Sequence, residues 1–161
     1  MGILKSWAIG ILALITGLAL FLTANIISSN IETSEAQSDL EPFYTPPDPL
    51  EGKPGDLLRI EPLGTEVEGA QSLRILYLTE LENGEVATAS GMAFIPTAPN
   101  TSGPREIVAW THGTTGEGNS CAPSRNPNPT SQLTEFLPSM IQLGWALVAT
   151  DYTGLGTPGV Q

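Results

Sequence analysis

His112-Gly113-Thr114 and Asp151-Tyr152 are the residues of this chain best suited to chemistry. Each group follows a short apolar run, residues 107–110 in the first case, with Thr111 between, and 145–150 in the second. A loop leaving a buried strand can hold backbone N–H donors fixed in advance of the reaction, which the oxyanion of acyl transfer needs. Gly113 allows close backbone approach there, and Thr114 can supply the N–H. His112 is tempting as a general base, but in hydrolases with a Ser, acid, His order it would precede the nucleophile. It is therefore read as a loop-shaping residue. Alone, the tripeptide is equally well a plain turn after a strand. Asp151 falls at a strand's C-terminal end, on the binding side of an open parallel sheet. A structural role as loop anchor suits it better than catalysis.

The remaining motifs narrow the chemistry. Gly154-Leu155-Gly156-Thr157-Pro158-Gly159 matches the G-x-G-x-x-G of dinucleotide-binding loops. Asp151 and Tyr152 intervene between strand and first glycine, and no second strand with an acidic residue follows, so this nucleotide-binding reading is the rival. No G-x-S-x-G occurs: Ser90-Gly91 lacks the first glycine, and Ser120, Ser124 and Ser131 have no histidine after them. No Ser-His-Asp set can be assembled. One Cys, Cys121, and one His cannot build a structural zinc site, and neither metal nor cofactor is expected.

The elements that must position these residues follow from periodicity. Residues 73–79 and 86–95 are β-like, and Asn83-Gly84 between them predicts a type I′ hairpin turn. Residues 106–110 suit a strand buried on both faces. Residues 116–130, rich in Gly, Asn, Pro and Ser, form a loop. Thr130 or Ser131 can cap a following helix whose apolar face is Leu133, Phe136, Leu137, Met140 and Ile141, kinked or split at Pro138 and ended by Gly144. With a strand at 145–150, this gives parallel strands joined by a right-handed crossover. Ahead of these, Pro42, Pro46, Pro47, Pro49 and Pro54 predict an extended arm, with Phe43 and Tyr44 pinning it to a surface.

The N-terminus differs in kind. Residues 7–27 are almost wholly apolar, long enough to span a bilayer, with Lys5 ahead of them. They read either as an uncleaved anchor or as a signal peptide cleaved near Ser34-Glu35-Ala36, and both export the remainder. The Met1–Ser6 segment also fits a myristoylation pattern, which an export segment directly behind it makes irrelevant. The 161 residues carry a net charge of −11, mostly from acids between Glu32 and Glu85. Without a basic patch, nucleic acid is not an expected partner. The expected organisation is 1–36 signal or anchor with linker, 37–72 arm, and 73–161 an α/β domain.

Taken together, the motifs resemble the N-terminal part of the secretory lipase family of α/β-hydrolases. The resemblance runs through Phe43-Tyr44-Thr45-Pro46-Pro47, Pro54-Gly55-Asp56-Leu57-Leu58-Arg59, Arg74-Ile75-Leu76-Tyr77 and Ala89-Ser90-Gly91. It continues through Trp110 to Gly116, Ser120-Cys121-Ala122-Pro123-Ser124 and Ala149 to Gly156. It implies an incomplete α/β-hydrolase fold, a β-hairpin and then the β-α-β of a mostly parallel sheet, and hydrolysis of acyl esters such as triacylglycerols. It also implies an oxyanion-hole role for the Gly113 and Thr114 backbone, and a disulfide from Cys121 to a cysteine not in this sequence. Nucleophile, acid and base would lie beyond Gln161. A membrane-tethered domain without catalysis is the second rival.

Overall fold

The computed structural model describes residues 14–27, 41–101, 103–116 and 118–158. Residues 1–38 and 39–161 are separate compact units. In the first, residues 14–27 form a helix, α1, exposed along its whole length, with Leu14 at 75% and Phe21 at 66% exposure. Its polar side chains bond inward: Thr23 donates to Ala19 O and Asn25 to Phe21 O. At 1.5 Å per residue the described fourteen residues span about 21 Å. Among the described residues no helix is long and apolar enough to cross a membrane. Residues 7–13, the Met1–Ser6 pattern and Ser34-Glu35-Ala36 lie outside the described residues.

The second unit is built on five strands: β1 (Leu57–Pro62), β2 (Ala70–Glu80), β3 (Val86–Pro96), β4 (Ile107–Thr111) and β5 (Ala146–Thr153). They lie in the order β1-β2-β3-β5-β4. β1, β2, β3 and β5 pair antiparallel in succession, and β5 pairs parallel with β4. The parallel pair is joined by the crossover that contains helix α2 (Leu137–Gln142). One face of the sheet packs Met92, Phe94, Leu147 and Ala149 against Leu133, Leu137 and Ile141. Burying such aliphatic side chains contributes roughly 1.5–3 kcal/mol each. The other face is an open apolar groove of about 520 Å³, lined by Ile60, Leu73, Ala93, Ala109 and Val148 among others.

The local chemistry differs from expectation in three places. The hairpin turn is not type I′. Gly84 has φ +84°, but Asn83 does not share a positive φ. Gly84 N donates to Leu81 O and Leu81 N to Glu85 O, a three-residue loop in which only the last position needs the left-handed region. β4 is not buried on both faces. It lies at the end of the strand order and alternates, with Ile107 70% exposed. Pro138 does not kink a long helix but opens a short one. α2 starts at Leu137, and Pro138 in its first turn loses nothing by lacking an N–H. Residues 129–136 before it are turns, so Thr130 and Ser131 cap no helix; Thr130 Oγ1 instead bonds Asn128 Oδ1. Gly144 does end α2, at φ +78° with its N–H on Ile141 O.

The Pro-rich arm is integral to this unit. It holds β1 and a turn of 3-10 helix, Pro42–Tyr44, whose Phe43 and Tyr44 are buried. One guanidinium, that of Arg59, donates to the carbonyls of Pro42, Phe43 and Thr45. Arg74 covers the Phe43 ring at 4.4 Å while bonding Glu41 at 2.9 Å and Glu61 at 2.8 Å.

Candidate oxyanion site

A β-bulge organises the site. Ser90 pairs with Tyr152 and Gly91 with Thr150, so Asp151 is an extra residue on β5 with no partner on β3. Gly91 makes room for this. A Cβ there would lie 2.3 Å from the Ala149 carbonyl oxygen. The bulge turns Asp151 fully into the interior. Its Oδ1 accepts the Ser124 N–H at 2.9 Å, and its Oδ2 accepts the hydroxyls of Ser90, at 2.7 Å, and Ser124. Because Ser124 gives its proton to the carboxylate, Tyr44 OH, 3.0 Å away, donates to Ser124 Oγ. Burial pushes the Asp151 carboxyl above the ordinary carboxylate range, while the bonds from Ser124 and Ser90 act in the opposite direction. Burial likewise raises the Tyr44 phenol. Asp151 thus ties together the arm, the 3-10 turn Pro123–Arg125, β3 and β5.

Past the bulge, Tyr152 is the one described non-glycine residue with positive φ, 70°. That conformation costs an L-residue about 1–2 kcal/mol. Its hydroxyl donates to His112 O at 2.9 Å, and its ring lies 4.4 Å from the His112 ring. His112 is buried; its Nδ1 lies 2.6 Å from Gly113 O, and facing a carbonyl there, Nδ1 carries the proton. Gly113 and Thr114 are exposed. They line a cleft of about 540 Å³ with His112, Thr115, Tyr152 and Leu155. The cleft opens where β4 and β5 end, the side on which open α/β sheets bind ligands.

The structure therefore brings His112, Gly113 and Thr114 together with Asp151 and Tyr152. Ser90, Ser124 and Tyr44 show no joint role in the sequence, because their meeting depends on contacts up to 80 residues apart. Cys121 has no disulfide partner among the described residues; it is half-buried and packs so closely on Gly116 that a Cβ on that glycine would sit 2.5 Å from Sγ. The Gly154–Pro158 part of the glycine motif forms turns with no described helix after it, and Leu155 and Thr157 are buried. Gly156 packs on Ala122 and Ser90, so the loop is closed against the interior. Gly159 lies outside the described residues. Among the described residues, no cluster of three or more His, Cys, Asp or Glu could hold a metal.

The fold has solved counterparts. The chain superposes on Candida antarctica lipase A in its closed state with a TM-score of 0.61 and 20% identity, covering 75% of this chain and 31% of the lipase.

The fold is that of part of an α/β-hydrolase.

A second structure of the same lipase matches the α/β-hydrolase unit with a TM-score of 0.60 and 20% identity, covering 72% of this chain and 30% of the lipase. A mutant of LipA, a rice cell wall degrading esterase from Xanthomonas oryzae, is 31% identical over 54% of this chain and 22% of its own, with a TM-score of 0.40. The chain spans less than a third of the length of these solved hydrolases. No family model matches it, and no curated protein does.

Proposed function

We propose that this chain supplies the oxyanion-hole half of a serine hydrolase of the secretory lipase type, acting on acyl esters such as triacylglycerols. The observation that carries the reading is the exposed Gly113-Thr114 backbone at the end of β4, beside the cleft, within an α/β-hydrolase fold. In such a fold one oxyanion donor comes from the loop at this place and the other from the residue after the nucleophile. The nucleophilic serine attacks the ester carbonyl and a histidine carries its proton to the leaving alcohol. Meanwhile the Thr114 N–H meets the oxyanion that forms. The serine, acid and base belong to residues other than these 161, and so does a cysteine that pairs with Cys121. The protein works outside the cytoplasm, its residues 7–27 serving as signal peptide or membrane anchor.

A fluorophosphonate probe tests this reading on the whole protein. Stoichiometric labelling, mapped by peptide mass spectrometry to a serine other than those in residues 1–161, is the expected result. Labelling of Ser90, Ser120, Ser124 or Ser131, or no labelling in a folded protein, contradicts it.

A further inference from the structure

A glycine gives the 112–116 loop freedom, yet an oxyanion donor must hold one direction. A trans peptide unit is planar, so a carbonyl and the next residue's N–H point opposite ways. Fixing a carbonyl therefore aims the N–H behind it. Two consecutive carbonyls of this loop are fixed. His112 O accepts the Tyr152 hydroxyl at 2.9 Å, and Gly113 O accepts from His112 Nδ1 at 2.6 Å. The N–H groups of those two peptide units belong to Gly113 and Thr114, and the second is the amide that the proposed reaction uses.

Tyr152 is itself held firmly. Its N–H donates to Thr150 Oγ1 at 3.0 Å, and that hydroxyl also meets Tyr77 OH at 2.7 Å. Asp151 before it is anchored by Ser90 and Ser124. Its positive φ is a strained conformation that this surrounding structure imposes. With this backbone the ring stands beside His112 rather than continuing along β5, and the hydroxyl reaches a carbonyl across the loop.

Resting on the hydrolase reading above, we propose that Tyr152 is a positioning residue: its hydroxyl, with His112, aims the Gly113 and Thr114 amides into the cleft. Its hydroxyl proton is donated to His112 O, so it braces the loop and is not a hydrogen-bond donor to the substrate.

The test is Tyr152→Phe in the whole protein, which removes one oxygen and keeps the ring. Two readouts separate the claims. The first is the ¹⁵N relaxation order parameter of the Gly113 and Thr114 amides, which does not depend on activity. It is expected to fall from about 0.85 to below roughly 0.6, the values of rigid and flexible backbone. The second is hydrolysis of a p-nitrophenyl ester. Here kcat is expected to fall about ten- to a hundred-fold, the scale of a small misplacement at a reacting centre. KM is expected to hold, because the lost interaction acts in the transition state. Unchanged order parameters overturn the proposal. So does a raised KM with intact kcat, which would place the phenol on the substrate. If the parent hydrolyses no ester but the variant's loop still loosens, the hydrolase reading fails and the positioning of the loop by Tyr152 stands. Should Tyr152→Phe not fold, Tyr152→Gly relieves the positive φ while removing the same hydroxyl, and it is expected to give the same loosening.

Discussion

Removing the Asp151 side chain strands three donors at once: the Ser124 N–H and the hydroxyls of Ser90 and Ser124. Each buried donor left unpaired costs roughly 1–3 kcal/mol, less where a serine hydroxyl can turn to another acceptor. Asp151→Ala is therefore expected to lower the urea midpoint sharply. Asp151→Asn keeps an acceptor for the Ser124 N–H and should lose far less. The charge adds a pH signature. The folded carboxyl titrates above its unfolded value of about 3.9, because burial disfavours the anion. Such a group adds stability that is fully present below the unfolded value and is lost as pH rises through the folded one. Denaturant melts of parent and Asp151→Asn from pH 3 to 7 should show the difference shifting in favour of the asparagine variant as pH rises. A shift the other way would mean that the serine donors outweigh burial.

At the scale of elements, the bulge depends on Gly91. Gly91→Ala puts a Cβ 2.3 Å from a backbone oxygen of β5. Backbone must then move, and overpacking of this kind costs about 1–3 kcal/mol. The variant should melt earlier than the parent, and an unchanged melt would show that β3 and β5 do not cross as closely as described. Part of this architecture is legible in the chain itself. The β2–β3 hairpin, the β4–helix–β5 order and the stop at Gly144 follow from alternation, apolar runs and glycine placement. β1 is hidden because Leu57-Leu58-Arg59-Ile60 does not alternate and sits among prolines; its pairing with β2 makes it a strand. The burial of Asp151 is hidden for a different reason. A bulge is one extra residue in a pairing register, and register exists only between strands. The His112–Thr114 loop is legible in its own residues, whereas the phenol that braces it comes from Tyr152, 40 positions on.

At the scale of the molecule, one sheet face is covered by α2 and the turns before it, and the other carries the open apolar groove. Residues 39–161 expressed alone are expected to bind an apolar dye such as ANS through that face. Weak dye binding with a sharp cooperative melt would instead favour a self-sufficient domain. The exposed apolar helix α1 belongs to the export reading. Alkaline carbonate extraction should leave an uncleaved chain with the membranes, and full release of the uncleaved chain would count against that reading. The most direct measurement of the whole account compares ester turnover of Thr114→Pro and Thr114→Ala in the whole protein, both folded as the parent is. Proline removes the N–H and alanine keeps it. Loss of one oxyanion donor costs on the order of a hundred- to a thousand-fold in kcat. That loss is expected for Thr114→Pro, with Thr114→Ala close to the parent. Parent-like turnover in Thr114→Pro, or a large loss in Thr114→Ala, would contradict the assignment of the backbone amide to the oxyanion.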